Sequence, residues 1–220
     1  MRVVLSDVAK HPSIDAYIQQ ADANLGAMGF TEHGRRHISL VSSIAHNILE
    51  RLGYDERLAE LAAIAGYVHD LGNCVGRVNH GAAAALLVEP FLRELGMPPH
   101  EVALILSAVG NHEEEVGEPV NEVAAALILA DKSDVHRTRV RNPDLPTFDI
   151  HDRVNYAVSK SFLDVNEHDR VITLRITIET ENTSIMEYFE IFLERMLMCR
   201  RAAAYLRCEF KLNINEAHLL

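Results

Sequence analysis

The sequence predicts a mainly α protein, a helical bundle followed by a small C-terminal α+β unit, and three observations predict it. Apolar residues recur at spacings of three and four through residues 13–138, with good helix punctuation between the segments. The period then drops to two at Ile172, Leu174, Ile176 and Ile178, and again at Cys208, Phe210, Leu212 and Ile214, the mark of half-buried strands. Between those strands, residues 184–206 return to a helical stripe of Ile185, Phe189, Phe192, Met196 and Ala203.

In chain order, Thr31 is expected to cap a helix carrying Ile38, Val41, Ile44, Ile48 and Leu52, stopped at Gly53. Asp55 caps the next, which runs to His69 with Gly72 beyond it. Asn79 opens a third that ends at Gly96. Pro98 and Pro99 suit the first turn of a fourth, ending at Gly110, and a fifth covers residues 122–135. Residues 141–148 break the pattern with Asn142, Pro143, Leu145 and Pro146, which suggests a linker. Residues 1–141 and 147–220 are therefore expected as two units. In the second, a strand near 161–165 pairs with the strand at 172 through a turn at 166–169, and the unit as a whole is expected to serve assembly, most simply a homodimer.

A chain of 220 residues can bury a substantial core, and with no Trp and 6% aromatic residues that core must be largely aliphatic. Lys plus Arg number 21 against 32 Asp plus Glu, a formal charge of −11, which disfavours general nucleic-acid binding. The cysteines Cys74, Cys199 and Cys208 are odd in number and show no paired spacing, and residues 1–10 lack the features of a signal peptide, so a cytoplasmic location is expected. The longest apolar runs, such as residues 123–130, fall far short of the roughly 18 residues that read as a membrane span. The unusual count is histidine, at twelve. With few thiols, that directs attention to imidazole and carboxylate chemistry.

His69 and Asp70 end an apolar helix side by side, where burial of two such groups calls for a counter-charge that a cation can supply. His33 precedes a helix, His80 and His112 sit at the edges of apolar helices, and Asp131 follows the apolar run 127–130. Each is attached directly to a core-forming helix, so packing the bundle can gather them in its interior. Such ligands suit Mn, Fe, Co, Ni, Zn or Mg.

The ordered combination of His33 with Arg36, His69-Asp70-Leu71-Gly72, His80-Gly81, Asn111-His112-Glu113 and Ala130-Asp131-Lys132 resembles the HD superfamily of metal-dependent phosphohydrolases. The resemblance covers residues 31–141. It implies an HD-type bundle in which His33, His69, Asp70 and Asp131 hold a first metal. His80 and His112 match positions that hold a second metal in two-metal members, with Asp70 bridging. Asn73 departs from the Lys that many members carry after Leu-Gly.

The expected activity is hydrolysis of a phosphoester of a small phosphorylated molecule, foremost a nucleotide, by metal-activated water. Asp70, Lys132 and Arg36 are the expected catalytic residues, and Arg36, Lys132 and Arg137 the phosphate contacts, since guanidinium matches phosphate. Arg35, Arg139 and Arg141 are further candidates for phosphate, and Tyr67 for an apolar substrate group. His37 lies one turn from His33 on the same face and reads first as a structural histidine, with support of a ligand from behind as the alternative. Glu113, Glu114 and Glu115 form an acidic run that reads as a solvated loop, with Glu113 orienting a ligand or taking a proton as the alternative. Two other readings are open: a di-iron oxygenase on the same ligand set, and a nucleotide-binding regulatory module without turnover.

Overall fold

A computed structural model describes residues 2–114, 116–144, 147–181, 183–215 and 217–218. Leu145 and Pro146 of the expected linker, and Glu115 of the acidic run at 113–115, lie outside the described residues. Helices α1 (Leu5–Ala9) and α2 (Pro12–Ala27) open the chain, followed by α3 (Arg35–Arg51), α4 (Glu56–Val68), α5 (His80–Glu94), α6 (Pro99–Gly110) and α7 (Glu122–Lys132). Short 3-10 turns at Leu71–Cys74 and Arg137–Arg139 flank the bundle's functional end. Then come α8 (Ile150–Ala157), β1 (Val158–Asn166), β2 (Val171–Ile178), α9 (Ile185–Tyr205), β3 (Glu209–Ile214) and β4 (Ala217–His218).

The helix boundaries follow local chemistry. Asp55 does cap α4, its carboxylate accepting the Arg57 N–H at 2.8 Å. Ser184 and Glu187 form a reciprocal capping box at the start of α9. The expected cap at Thr31 is displaced: α3 begins at Arg35 with Gly34 as its N-cap. Glu32 braces the loop that leads into it, accepting the Gly34 N–H at 2.7 Å and the side-chain Nε–H of Arg36 at 2.9 Å. Helix α8 was not expected, because eight residues are too few to display a period. It is held by Asp149, whose side chain accepts the Asp152 N–H.

The sheet order is β1-β2-β3-β4. β1 and β2 form the expected antiparallel hairpin, turned by Asn166, whose side chain accepts the amides of His168 and Asp169. β2 and β3 run parallel, so α9 is the crossover that a parallel pair requires. One hydrophobic cluster runs from Ile38, Ile64 and Leu127 of the bundle to Ile172, Phe192 and Leu212 of the C-terminal unit. The break near residue 141 thus divides the pattern of the sequence without dividing the core. That core is mainly aliphatic, with Tyr188 and Phe192 the largest fully buried aromatics. No helix among the described residues is long and apolar enough to cross a membrane.

Candidate metal centre

Five helix ends converge on one buried cluster. His37 lies in the first turn of α3, His69 caps the C-terminus of α4, and Asp70 follows it at the start of the 3-10 turn. His80 is the first residue of α5, His112 follows α6, and Asp131 lies in the last turn of α7. The approach of α5 depends on Gly72, where a Cβ would fall 1.8 Å from the His80 carbonyl oxygen. The approach of α3 to α4 depends on Gly66, where a Cβ would lie 2.8 Å from the Ser42 Cα. His37 and His69 are fully buried, and His112 and Asp70 nearly so.

The donor atoms form two poles that share Asp70. At the first, His37 Nε2 and His69 Nε2 lie 3.3 Å apart, with Asp131 Oδ1 at 3.3 Å from His37 and Asp70 Oδ2 at 3.3 Å from His69. At the second, His80 Nε2 and His112 Nε2 lie 3.1 Å apart, with Asp70 Oδ1 at 3.3 and 4.0 Å from them. One carboxylate therefore turns one oxygen to each pole.

These residues fit a divalent cation. Every imidazole is tied by its other nitrogen to an acceptor: His37 Nδ1 to Asp134 Oδ2 at 2.7 Å, His69 to the Gly66 carbonyl at 2.8 Å, His80 to the Arg77 carbonyl at 3.1 Å, and His112 to the Val109 carbonyl at 2.6 Å. The Nδ1–H must donate in each case, which leaves the Nε2 lone pairs facing one another and the carboxylates. Asp70 Oδ2 is buried and accepts no hydrogen bond among the described residues. The demand for positive charge shows in His69: burial opposes its charged form, yet Asp70 and Asp131 carry its pKa up to about 10. Asp70 and Asp131 are held well below the usual carboxylate range against burial, chiefly by His69 and Lys132 respectively. Asn73 takes up part of this network, its amide donating to Asp70 Oδ1 at 3.0 Å.

His33, expected as a ligand, is not in the cluster. It stays on the loop before α3, where Nδ1 donates to the Thr31 carbonyl at 2.7 Å and Nε2 accepts from Arg139 Nη2 at 2.9 Å, so its lone pair is already spent. Burial and the Arg139 charge both push its pKa down. His37, one turn later and inside the helix, stands in the cluster instead. Of the expected phosphate contacts, Lys132 is at the site, donating to Asp131 Oδ2 at 2.7 Å with Glu114 at 3.5 Å. Arg36 instead grips Asp134 through both terminal nitrogens, at 3.3 and 2.8 Å, and so acts on the residue that holds His37. Arg137 is turned away, paired with Glu179 at 2.8 Å and stacked over Tyr156. Arg35 pairs with Asp15 and Arg141 with Asp22. Tyr67 lines a separate depression beside α1.

Arg139 is the member of the arginine run that enters the site, buried and bonded to the Asp134 and Glu32 carbonyls. Glu113 is engaged at the cluster rather than solvated, receiving the Gly81 N–H at 2.7 Å with its other oxygen 3.0 Å from His80 Nδ1. The sequence reading missed Arg77, which follows the 3-10 turn, and Arg195 of α9, whose Nε donates to Glu114 at 2.7 Å. With Asp70, His80, Lys132 and Arg139 they wall an open cavity of about 310 Å³. The C-terminal unit thus supplies a side chain to the site itself. No local signal marks that residue, since an arginine in an amphipathic helix reads as a solvated one.

Residues 35–136 match the HD domain family, a segment that begins after His33 and contains His37, His69, Asp70, His80, His112 and Asp131. The uncharacterized protein MJ1020 of Methanocaldococcus jannaschii is 23% identical over 173 residues, covering 68% of this chain and 66% of that protein. The chain spans just under two thirds of that relative's length.

Proposed function

Residues 35–136 are an HD domain, and from that premise we propose that the protein is a metal-dependent phosphohydrolase that cleaves a phosphoester of a small phosphorylated molecule, a nucleotide foremost. The observation that carries this reading is the Asp70 carboxylate, placed with one oxygen toward His37 and His69 and the other toward His80 and His112. His37, His69, Asp70 and Asp131 would hold one divalent ion, and Asp70, His80 and His112 could hold a second. When bound, such ions lower the pKa of coordinated water towards neutrality and offset charge on phosphoryl oxygens.

The remaining work belongs to the chain. Asp134, clamped by Arg36 and Arg139, keeps His37 in one tautomer, and Glu113 does the same service for the α5 terminus and His80. Lys132 is positioned by Asp131 and Glu114 at the cavity wall, where its ammonium meets the oxygens of a phosphoryl group. The three free cysteines are consistent with a reducing cytoplasm as the working compartment. The exposed Met186, Leu193 and Leu197 on α9 support self-association through that helix.

The test is metal analysis of the purified protein followed by phosphate release from nucleotides and simple phosphoesters with Mn, Co, Ni, Fe or Mg added. Hydrolysis that vanishes on chelation, and returns with one of these metals, is expected. Oxygen uptake by an iron-loaded protein, without phosphate release, would replace this reading with oxygenase chemistry.

A further inference from the structure

We infer that the substrate is a phosphate monoester with a single phosphate group, held where two chambers meet by Arg77, Arg139 and Arg195, with its organic part in the chamber remote from the metal centre. The inference rests on the phosphohydrolase reading and narrows it.

The cavity over the metal cluster, about 310 Å³, adjoins a second of about 280 Å³. Both are lined by His33, Arg77, Arg139, His151 and Arg195, so the shared wall is basic. Two of these arginines are fixed by aromatic faces: Arg77 lies over the Phe30 ring at 5.4 Å and Arg195 over the Phe192 ring at 4.5 Å. Stacking holds the plane of each guanidinium and leaves its N–H edge for a ligand. Arg77 makes no ion pair with a carboxylate among the described residues, and its hydrogen bonds to Asn73 and His80 are long, at 3.4 Å. Arg195 spends Nε on Glu114, while its terminal nitrogens have no partner among the described residues. Arg139 has its nitrogens engaged by Asp134, Glu32 and His33, and so adds charge to the neck without adding a free donor.

On both sides of this neck carboxylates join the lining. The first cavity adds Glu113, Glu114 and Glu194, of which Glu114 is paired with Arg195 and Lys132, and the far chamber adds Asp149 and Asp152. One phosphate at the neck is therefore served by cations, and a second or third extending into the far chamber would meet the carboxylates of Asp149 and Asp152. The far chamber is otherwise apolar on one side, with Met28, Phe30 and Phe192. Asn155 also lines it, its amide donating to the His151 carbonyl at 2.9 Å, so that its oxygen can accept from a hydroxyl or N–H group. A compact group with one apolar face and hydroxyl or amino donors, such as a nucleoside, fits this lining.

The experiment measures binding of adenosine mono-, di- and triphosphate to the metal-loaded full chain by calorimetry, alongside phosphate release from the same compounds and from methyl phosphate. The monophosphate is expected to bind at least about tenfold more tightly than the other two, the scale of one charged contact. Arg195→Met, and separately Arg77→Met, should weaken monophosphate binding about tenfold with bound metal unchanged, and Arg195→Lys should recover part of the loss. Asp149→Asn combined with Asp152→Asn keeps a competent N-cap on α8 and should narrow the preference against the triphosphate. Equal binding of the three adenosine nucleotides, or unchanged monophosphate binding in both arginine variants, overturns the inference even if metal-dependent hydrolysis is found. Failure to hydrolyse any phosphoester would instead overturn the functional reading, and the binding series would still decide the anion site.

Discussion

Replacing His37 by alanine, with His33→Ala as its partner, separates two readings of the site that differ by one helical turn. The first pole has four donors, His37, His69, Asp70 and Asp131, and His37→Ala leaves three. Loss of a group that merely orients a ligand costs about 10- to 100-fold in metal affinity. Loss of the ligand itself should cost at least about 100-fold, or roughly 2.7 kcal/mol at 1.36 kcal/mol per decade. The fold should survive, because Asp134 keeps its pairs with Arg36 and Arg139 when the His37 bond is lost. His33→Ala removes a hydrogen bond to Arg139 and no donor atom of the cluster, so metal affinity should stay within a few fold of wild type. Metal titration by calorimetry, metal content after dialysis, and circular dichroism as a folding control read the outcome. Full metal affinity in His37→Ala together with its loss in His33→Ala would refute the geometry and restore His33 as the ligand.

Three further outcomes follow from the same structure. His112→Ala should lower metal content from about two to about one per chain, since the second pole would retain only His80 and one oxygen of Asp70; unchanged content after dialysis would remove His112 from the ligand set. Gly72→Ala should weaken metal binding and stability together, because its methyl group would lie 1.8 Å from the His80 carbonyl and push back the start of α5; wild-type behaviour in both assays would show that α5 shifts without cost. Glu101→Gln should destabilise the protein by about 3 kcal/mol at neutral pH, as it breaks a nearly buried two-point pair with Arg57 at 2.8 and 2.6 Å. The Arg57 hydrogen bonds, against burial, hold the Glu101 pKa below its ordinary 4.5, so that stability is present above about pH 4.5 and lost as pH falls through the depressed value. Urea midpoints should therefore converge between wild type and variant on acidification, and a constant gap from pH 7 to pH 3 would contradict the pairing.

The sequence by itself determined the helical bundle, the strand–helix–strand order of the C-terminal unit and five of the six cluster residues, because each is carried by a local signal. Helical period and caps act within a turn or two, as at Asp55 and Ser184, and His69-Asp70 sits where an apolar helix stops. The choice between His33 and His37 was not local: they share a face, and only the start of α3 at Arg35, set by Glu32 and Gly34, decides which imidazole points inward. Nor could spacing show that Arg36 and Arg137 are spent on Asp134 and Glu179, residues remote in sequence. Arg195 reaches the site because α9 packs on α7 across a shared core, an arrangement that exists only once the chain has folded. Which residues can carry the chemistry is written in types and periods; which of them meet, and with what charge beside them, depends on contacts between segments far apart in the chain, where no local propensity acts.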